Sequence, residues 1–181
     1  MNIIALSLPG AFKIVLAPRG DERGYFMRTY DEAIFRAHGL ETRWVQENQS
    51  RSRRKGIIRG LHFQAPPHAE TKLVRVVRGA ILDVFVDVRT GSPTYGRHEA
   101  VELTEDNTTA AYVPKGFAHG FCTLTDDCVV AYKVDAAYAP EAEGGLAWDD
   151  PDLGIRWPTD QPFLSEKDRN WPAFKEFVSP F

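Results

Sequence analysis

The nine residues AILDVFVDV, Ala80 to Val88, permit few structures. In an extended chain Leu82, Val84, Val86 and Val88 fall on one face, and Ile81, Asp83, Phe85 and Asp87 on the other. The turn-forming RTGSP ends the run. Shorter segments of the same kind recur along the chain. KIVLAP (13–18) and TRWVQE (42–47) read as strands, the second followed by a polar loop, NQSRSRRKG. HEAVEL and TAAYVP follow, split by TEDN, and then HGFCTL and VVAYKV, joined by TDD. Many short strands with turns every eight to twelve residues predict an all-β sandwich or small barrel. A small barrel has an inner face that can hold a ligand.

Two segments depart from the strand pattern. YDEAIFRAHG predicts a short early helix, with Asp31 as N-cap, acidic residues in the first turn and Gly39 as the stop. From Trp148 onward the chain is rich in Pro, Asp and Trp. That stretch, 148–181, predicts an ordered tail of turns and short helices that wraps the body, with Trp148 and Trp157 as anchors.

The 181 residues suit a single domain over 1–181, and 43% hydrophobic residues supply a sizeable core. A net charge of −3 argues against a broad basic face for nucleic acid. No apolar run approaches membrane-spanning length. The N-terminus MNIIALSLPG lacks the basic start and long apolar run of a signal peptide, so a cytoplasmic location is expected. Cys122 and Cys128 form no disulfide framework and read as free thiols in a reducing compartment.

The stretch RGLHFQ places Arg59, Leu61 and Phe63 on one side of a strand and Gly60, His62 and Gln64 on the other. Lys72 shares a face with Val74 and Val76, and Tyr132 with Val130 and Val134. His119 follows the tight turn VPKGFA. Each has an ordinary explanation: a satisfied histidine, a snorkelling lysine, a packing tyrosine. Lining one cavity, they would place two imidazoles, an ammonium and a phenol on an apolar background, a costly mixture without a purpose. A metal site is the competing reading, that of a metal-dependent cupin dioxygenase or isomerase. It wants a His-x-His pair, but the partner of His62 at that spacing is Gln64, and His68 lies in the turn-like APPHAE.

In combination and order, several stretches make the chain resemble the nucleotide-sugar 3,5-epimerases of the dTDP-4-dehydrorhamnose 3,5-epimerase type. They are DERGYF, VQEN, IIRGLHFQ, KLVRVVRG, DVFVDVRTGSPTYG, VPKGFAHGF, YKVDAAYAPEAEGG and WDDPDLGIRWP. The resemblance runs from GDERGYF to SEKD, and PKGFAH also looks like a cupin signature. It implies a cupin jelly-roll barrel and an isomerase that works without metal or other cofactor. The implied substrate is a 4-keto-6-deoxyhexose on a nucleoside diphosphate, inverted at C3, C5 or both through an enolate. By match to the family, His62 is the base, supported by Asp168 of SEKD, Lys72 faces the C4 oxygen, and Tyr132 returns a proton from the opposite face. Histidine suits the base role because it titrates near neutral pH.

For substrate binding the resemblance nominates Arg23, Phe26, Arg28, Gln46, Asn48, Arg59, His119, Tyr138, Glu143 and Lys167, with Tyr138 stacking on the base. Arg23 and Arg59 suit a diphosphate. Two positions depart from the pattern. Arg28 stands where many thymidine-type members carry glutamate, and Glu70 where the best-known members carry glutamine. These changes bear on the base of the nucleotide: a dTDP sugar is the first expectation, a CDP- or GDP-linked sugar the alternative. The family also implies a homodimer in which the N-terminal strand, within residues 1–10, joins the partner's sheet, since NIIALSL is apolar and would otherwise be an exposed edge. A non-catalytic nucleotide-sugar binder is the reading from a third class, but binding alone needs no acid–base pair.

Overall fold

The computed structural model describes residues 1–181. Thirteen strands and two short α-helices follow one another along the chain. The N-terminal part contains β1 (Asn2–Ala5), β2 (Phe12–Val15), β3 (Arg19–Asp21), β4 (Gly24–Phe26) and the helix α1 (Glu32–Ala37). The body contains β5 (Gln46–Ser52), β6 (Ile58–Gln64), β7 (Lys72–Arg78), β8 (Ala80–Asp87), β9 (His98–Thr104), β10 (Thr109–Val113), β11 (Phe117–Thr123) and β12 (Cys128–Val134). The chain closes with β13 (Glu143–Gly145) and α2 (Glu166–Arg169). One sheet runs β1-β2-β10-β7-β12-β5 and the other β13-β6-β11-β8-β9, while β3 and β4 form a separate hairpin. The two sheets enclose a core of the jelly-roll type that the resemblance implies, within the sandwich or barrel that the strand pattern predicts.

Both faces of the strongest strand are buried, each for its own reason. Ile81 and Phe85 of β8 enter the core between the sheets, with Val74, Val76, Val113, Phe117 and Val130. Val84, Val86 and Val88 point the other way, yet they are fully buried too. The tail covers them with Leu153, Ile155, Trp157, Phe174, Phe177 and Phe181. The outer face of the first sheet is covered in turn by α1 and the segment after it. Phe35 and Leu40 pack there on Ile14, Leu73 and Tyr112, with Tyr30 and Trp44 alongside. Each large apolar side chain so covered contributes about 1.5–3 kcal/mol.

Several local expectations hold. Asp31 caps α1 by accepting from the Ala33 and Ile34 amides, and Gly39 beyond its end has φ +69°. In the tail the Trp157 indole donates to the Trp148 carbonyl at 2.7 Å, which ties the two anchors together. Cys122 and Cys128 are both buried and free. No helix is long and apolar enough to cross a membrane.

Other expectations are corrected. The segment read as the loop NQSRSRRKG begins as a strand, since β5 covers Gln46–Ser52 and pairs with the whole of β12. TRWVQE is strand only in its last two residues. The hydrophobic pattern misses β5 because its inner face is polar: Gln46, Asn48 and Ser50 point inward, while Glu47, Gln49 and Arg51 are exposed. The first candidate strand is also displaced, to Phe12–Val15. GDERGYF, not read as structured, holds the β3–β4 hairpin. As for β1, Asn2–Ala5 pairs with β2 of its own chain at the end of the first sheet, and its outer edge has no partner strand within the chain.

A buried carboxylate organises the loop after β8. Asp87 accepts from the Arg89 backbone and guanidinium, Ser92 Oγ and Thr94 Oγ1. Burial alone would raise its pKa, but these donors outweigh it and hold the carboxyl at about 2. With the folded-state pKa depressed, the stabilisation is full above the ordinary carboxylate pKa and is lost as pH falls through about 2. Asp87→Asn is expected to destabilise the fold by on the order of 2 kcal/mol at neutral pH. Denaturant melts of both proteins should converge as the buffer is acidified, and equal stability at pH 7 would dismiss this role.

Candidate active site

The open end of the barrel holds two adjoining cavities, of about 270 and 310 Å3, whose walls share His62, Lys72 and Tyr132. The first reaches down past Arg59, His119, Ser50 and Phe121 and is closed on the tail side by Ser165, Lys167 and Asp168. The second opens past Gln46, Asn48, Glu70, Tyr138 and Glu143. His62 stands on β6 of one sheet, and Lys72 and Tyr132 stand on β7 and β12 of the other. The base candidate and the acid candidate therefore approach the cleft from facing sheets.

The alternation of RGLHFQ predicts Arg59 on the side away from His62, yet both line the first cavity. A register shift between β6 and β11 accounts for this: His119 pairs with His62, but Phe121 pairs with Arg59. The shift centres on Gly60, with φ +133°, packed against Gly120 so closely that an added Cβ would lie 2.5 Å from the Gly120 Cα. Leu61 and Phe63 keep their outward places under the tail. The Arg59 guanidinium is steadied by Ser52 Oγ at 3.2 Å and the Arg51 carbonyl at 3.4 Å.

His62 Nε2 lies 2.5 Å from Asp168 Oδ1, across 106 residues of sequence. Burial pushes the Asp168 carboxyl up, but the His62 contact and Ser165 outweigh it and leave the group below the usual carboxylate range. An ionised carboxylate only accepts, so Nε2 carries the proton and the Nδ1 lone pair is the free base. Asp168 is held by α2, whose N-cap Ser165 accepts from the Asp168 amide at 3.1 Å. Sequence reasoning passed over Ser165, although Ser165-x-x-Asp168 is the spacing of a helix capping box. Trp171 was also missed. It meets the His62 ring edge-on at 5.9 Å between centroids and lies under the Lys167 ammonium.

Around this pair the charges are matched. Lys167 Nζ lies 2.5 Å from Glu143 Oε2, which also accepts from the Tyr138 hydroxyl at 3.0 Å. Lys72 Nζ lies 3.1 Å from Glu70 Oε1. His119 Nε2 is 2.8 Å from Asp83 Oδ1, a buried carboxylate that alternation places on one face with Ile81 and Phe85. Burial, then the charge of Glu70, raises the pKa of the Tyr132 phenol, with Arg59 opposing, so at neutral pH it carries its proton. Tyr138 is 61% exposed at the rim, where its ring is free to stack.

Gln64 is committed elsewhere. Its amide donates to the carbonyls of His68 and Ala137 and accepts from the Ala139 amide, so it pins two backbone segments, at His68 and at 137–139. Three of the nominated binding residues lie away from the cleft of their own chain. Arg23 pairs with Asp21 at 2.6 Å, Phe26 is 68% exposed, and Arg28 pairs with Asp31 at 3.1 Å.

A base, a neutral acid and a fixed ammonium around one cleft can move protons beside a ketone. Comparison with known proteins agrees. Residues 5–176 match the family model for dTDP-4-dehydrorhamnose 3,5-epimerase. A dTDP-4-dehydrorhamnose 3,5-epimerase of Methanothermobacter thermautotrophicus is 51% identical over 97% of this chain and 95% of its own length. The crystal structure of a dTDP-6-deoxy-D-glucose-3,5-epimerase from Legionella pneumophila Philadelphia 1, in complex with dTDP-4-keto-L-rhamnose, is 40% identical. It superposes with a TM-score of 0.92 over 96% of this chain and 93% of that one. A 3'-monoepimerase from Streptomyces bikiniensis in complex with dTDP-quinovose is 39% identical, with a TM-score of 0.88 over 94% of this chain and 86% of that one. The chain belongs to the dTDP-4-dehydrorhamnose 3,5-epimerase family, and it is a carbohydrate epimerase of the cupin jelly-roll type.

Proposed function

We propose that the chain converts dTDP-4-dehydro-6-deoxyglucose to dTDP-4-dehydrorhamnose by inverting C3 and C5. The observation that carries this reading is the placement of the His62–Asp168 pair and Tyr132 on opposite walls of one cleft. His62 Nδ1 takes a proton from a carbon beside the ketone, and Asp168 stabilises the imidazolium that forms. The electron pair left on carbon moves onto the C4 oxygen, where Lys72 Nζ neutralises it. Tyr132 then gives its proton to the other face of the same carbon, and the carbonyl re-forms. The cycle repeats at the second carbon once each group has exchanged its proton with solvent. Arg59 and Lys167 supply cationic donors for the diphosphate, with His119 beside them in the inner cavity, Gln46 and Asn48 line the outer cavity, and the exposed Tyr138 ring is a stacking platform for the base. A dTDP ligand is supported by the relatives' complexes with dTDP sugars. Inversion at C3 alone is the second reading, supported by the similar monoepimerase.

Homodimerisation completes this proposal. The free edge of β1 suits pairing with a second copy. The hairpin carries Arg23, Tyr25 and Phe26, with Arg28 just beyond it, and is too exposed for a chain that acts alone. Docked on a second copy, these residues would reach its cleft. Sedimentation is expected to show a particle of two 20.4-kDa chains. A monomer at micromolar concentration would remove this part of the proposal.

Three substitutions test the chemistry in deuterated buffer. His62→Ala is expected to lower deuterium entry at both C3 and C5 by on the order of 10² to 10⁴ while the protein stays folded. Exchange at the wild-type rate would discard the base assignment. Asp168→Asn is expected to lower kcat with little change in KM, because an amide orients the ring but does not stabilise its charge; a change in KM alone would make Asp168 a binding residue. Tyr132→Phe keeps the ring and removes the proton. It is expected to wash deuterium into the substrate with retained configuration while inversion falls steeply. Inversion at the normal rate would transfer the acid role to another group.

A further inference from the structure

Glu70 is a carboxylate at the cleft without a place in the chemistry above. Glu70 precedes β7, lines the outer cavity and lies 3.1 Å from the Lys72 ammonium. Both side chains are nearly enclosed, 14% and 13% exposed, so this pair is weakly screened by solvent. We propose that Glu70 is a positioning residue of this site, whose carboxylate anchors the Lys72 ammonium and whose charge, in the outer cavity it shares with Tyr132, extends the reaction to higher pH. The inference rests on the epimerase reading and deepens it.

The segment that carries Glu70 is rigidly placed. Gln64 Nε2 holds the His68 carbonyl at 2.9 Å, and the His68 amide bonds back to the Ala65 carbonyl at 3.0 Å. On the other side the Thr71 amide donates to Asp135 Oδ1 at 2.6 Å, and Asp135 is paired with Lys115 at 2.9 Å. Glu70 therefore sits between two pinned neighbours. An ammonium has three N–H donors, so Lys72 can keep Glu70 and still donate to a substrate oxygen. The anchor removes the freedom of a long, flexible side chain before the substrate arrives.

The second effect falls on Tyr132, whose proton is held first by burial and then by the charge of Glu70. The other ionisable groups around the phenol and ammonium are Arg59 and His62 of β6, His119 of β11 with Asp83 of β8 behind it, Tyr138 and Glu143 near β13, and Lys167 and Asp168 of α2. Of these Arg59 opposes Glu70 at Tyr132. None of these changes in a Glu70 variant; Lys72 alone loses its partner with the carboxylate, and the Tyr132 titration, read apart from kcat, separates the effect on the phenol from the effect on the ammonium. Removing the carboxylate removes a negative charge that raises the phenol pKa. The acid then loses its proton at lower pH, and the alkaline limb of kcat moves to lower pH with it.

The test compares wild type, Glu70→Gln and Glu70→Ala in kcat and KM against pH, with dTDP-4-dehydro-6-deoxyglucose as substrate. The ionisation of Tyr132 is read separately by ultraviolet tyrosinate absorbance, as the difference between each protein and its Tyr132→Phe derivative. For Glu70→Gln, the alkaline limb and the Tyr132 titration should both move to lower pH, with KM nearly unchanged. Glu70→Ala should in addition lose kcat by about tenfold to a hundredfold, since the amide of glutamine still holds the ammonium and a methyl group does not. An unmoved limb together with an unmoved titration overturns the proposal, as does a Glu70→Ala enzyme with wild-type kcat. If the wild type fails to turn over this substrate but the titration still moves, the epimerase assignment fails while the influence of Glu70 on Tyr132 stands.

Discussion

The contact between His62 and Asp168 joins two parts of the molecule that lie 106 residues apart in sequence. His62 belongs to a strand inside a β-sheet, and Asp168 to a helix of four residues in the tail. So short a helix has no independent stability. It is held by what surrounds it: the Ser165 cap, the Lys167–Glu143 pair and Trp171 packed against Gly145 and the His62 ring. The tail in turn depends on Leu153, Trp157, Phe174 and Phe177, which cover the outer face of the second sheet. Burial of apolar surface on the outside of the barrel thus delivers a carboxylate to its inside.

The same division of labour explains the shape of the cleft. The closed end of the barrel is filled by Ile81, Phe85, Val76, Leu103 and Val130. Toward the open end the inner face becomes polar, and Gln46, Asn48, Ser50, Arg59, His62, Lys72 and His119 replace aliphatic side chains. Most of its ionisable groups are paired in advance, while Arg59 rests on Ser52 Oγ and the Arg51 carbonyl. His62 faces Asp168, Lys72 faces Glu70, Lys167 faces Glu143 and His119 faces Asp83. A preorganised arrangement of this kind needs little rearrangement when negative charge develops on a substrate oxygen.

Two local irregularities fit the site rather than the sheet. The register shift at Gly60 turns Arg59 into the cleft, and glycine is required there because the β6 and β11 backbones nearly touch. β5 trades an apolar inner face for a polar one. In both places the local pattern departs from what a regular half-buried strand would show, and in both the departure supplies groups that can meet a ligand.

The sequence by itself determined strands such as β8, because which side chains share a face is a property of the extended chain alone. It also determined the cap of α1, since Asp31 acts on amides two and three residues away. Lys72 and Tyr132 were visible as polar groups on otherwise apolar faces and His62 as a histidine on a strand face, and family resemblance named their roles. Other features were beyond its reach. β5 was hidden because an inner face built for a ligand looks like a loop. Arg59 was assigned to the wrong side because a register shift depends on the neighbouring strand. The pairing of Glu70 with Lys72 and of Asp83 with His119, and the packing of Trp171 on His62, depend on which strands lie side by side and how the tail returns. Only the tertiary structure decided them, because these contacts form between segments whose separation along the chain carries no local signal.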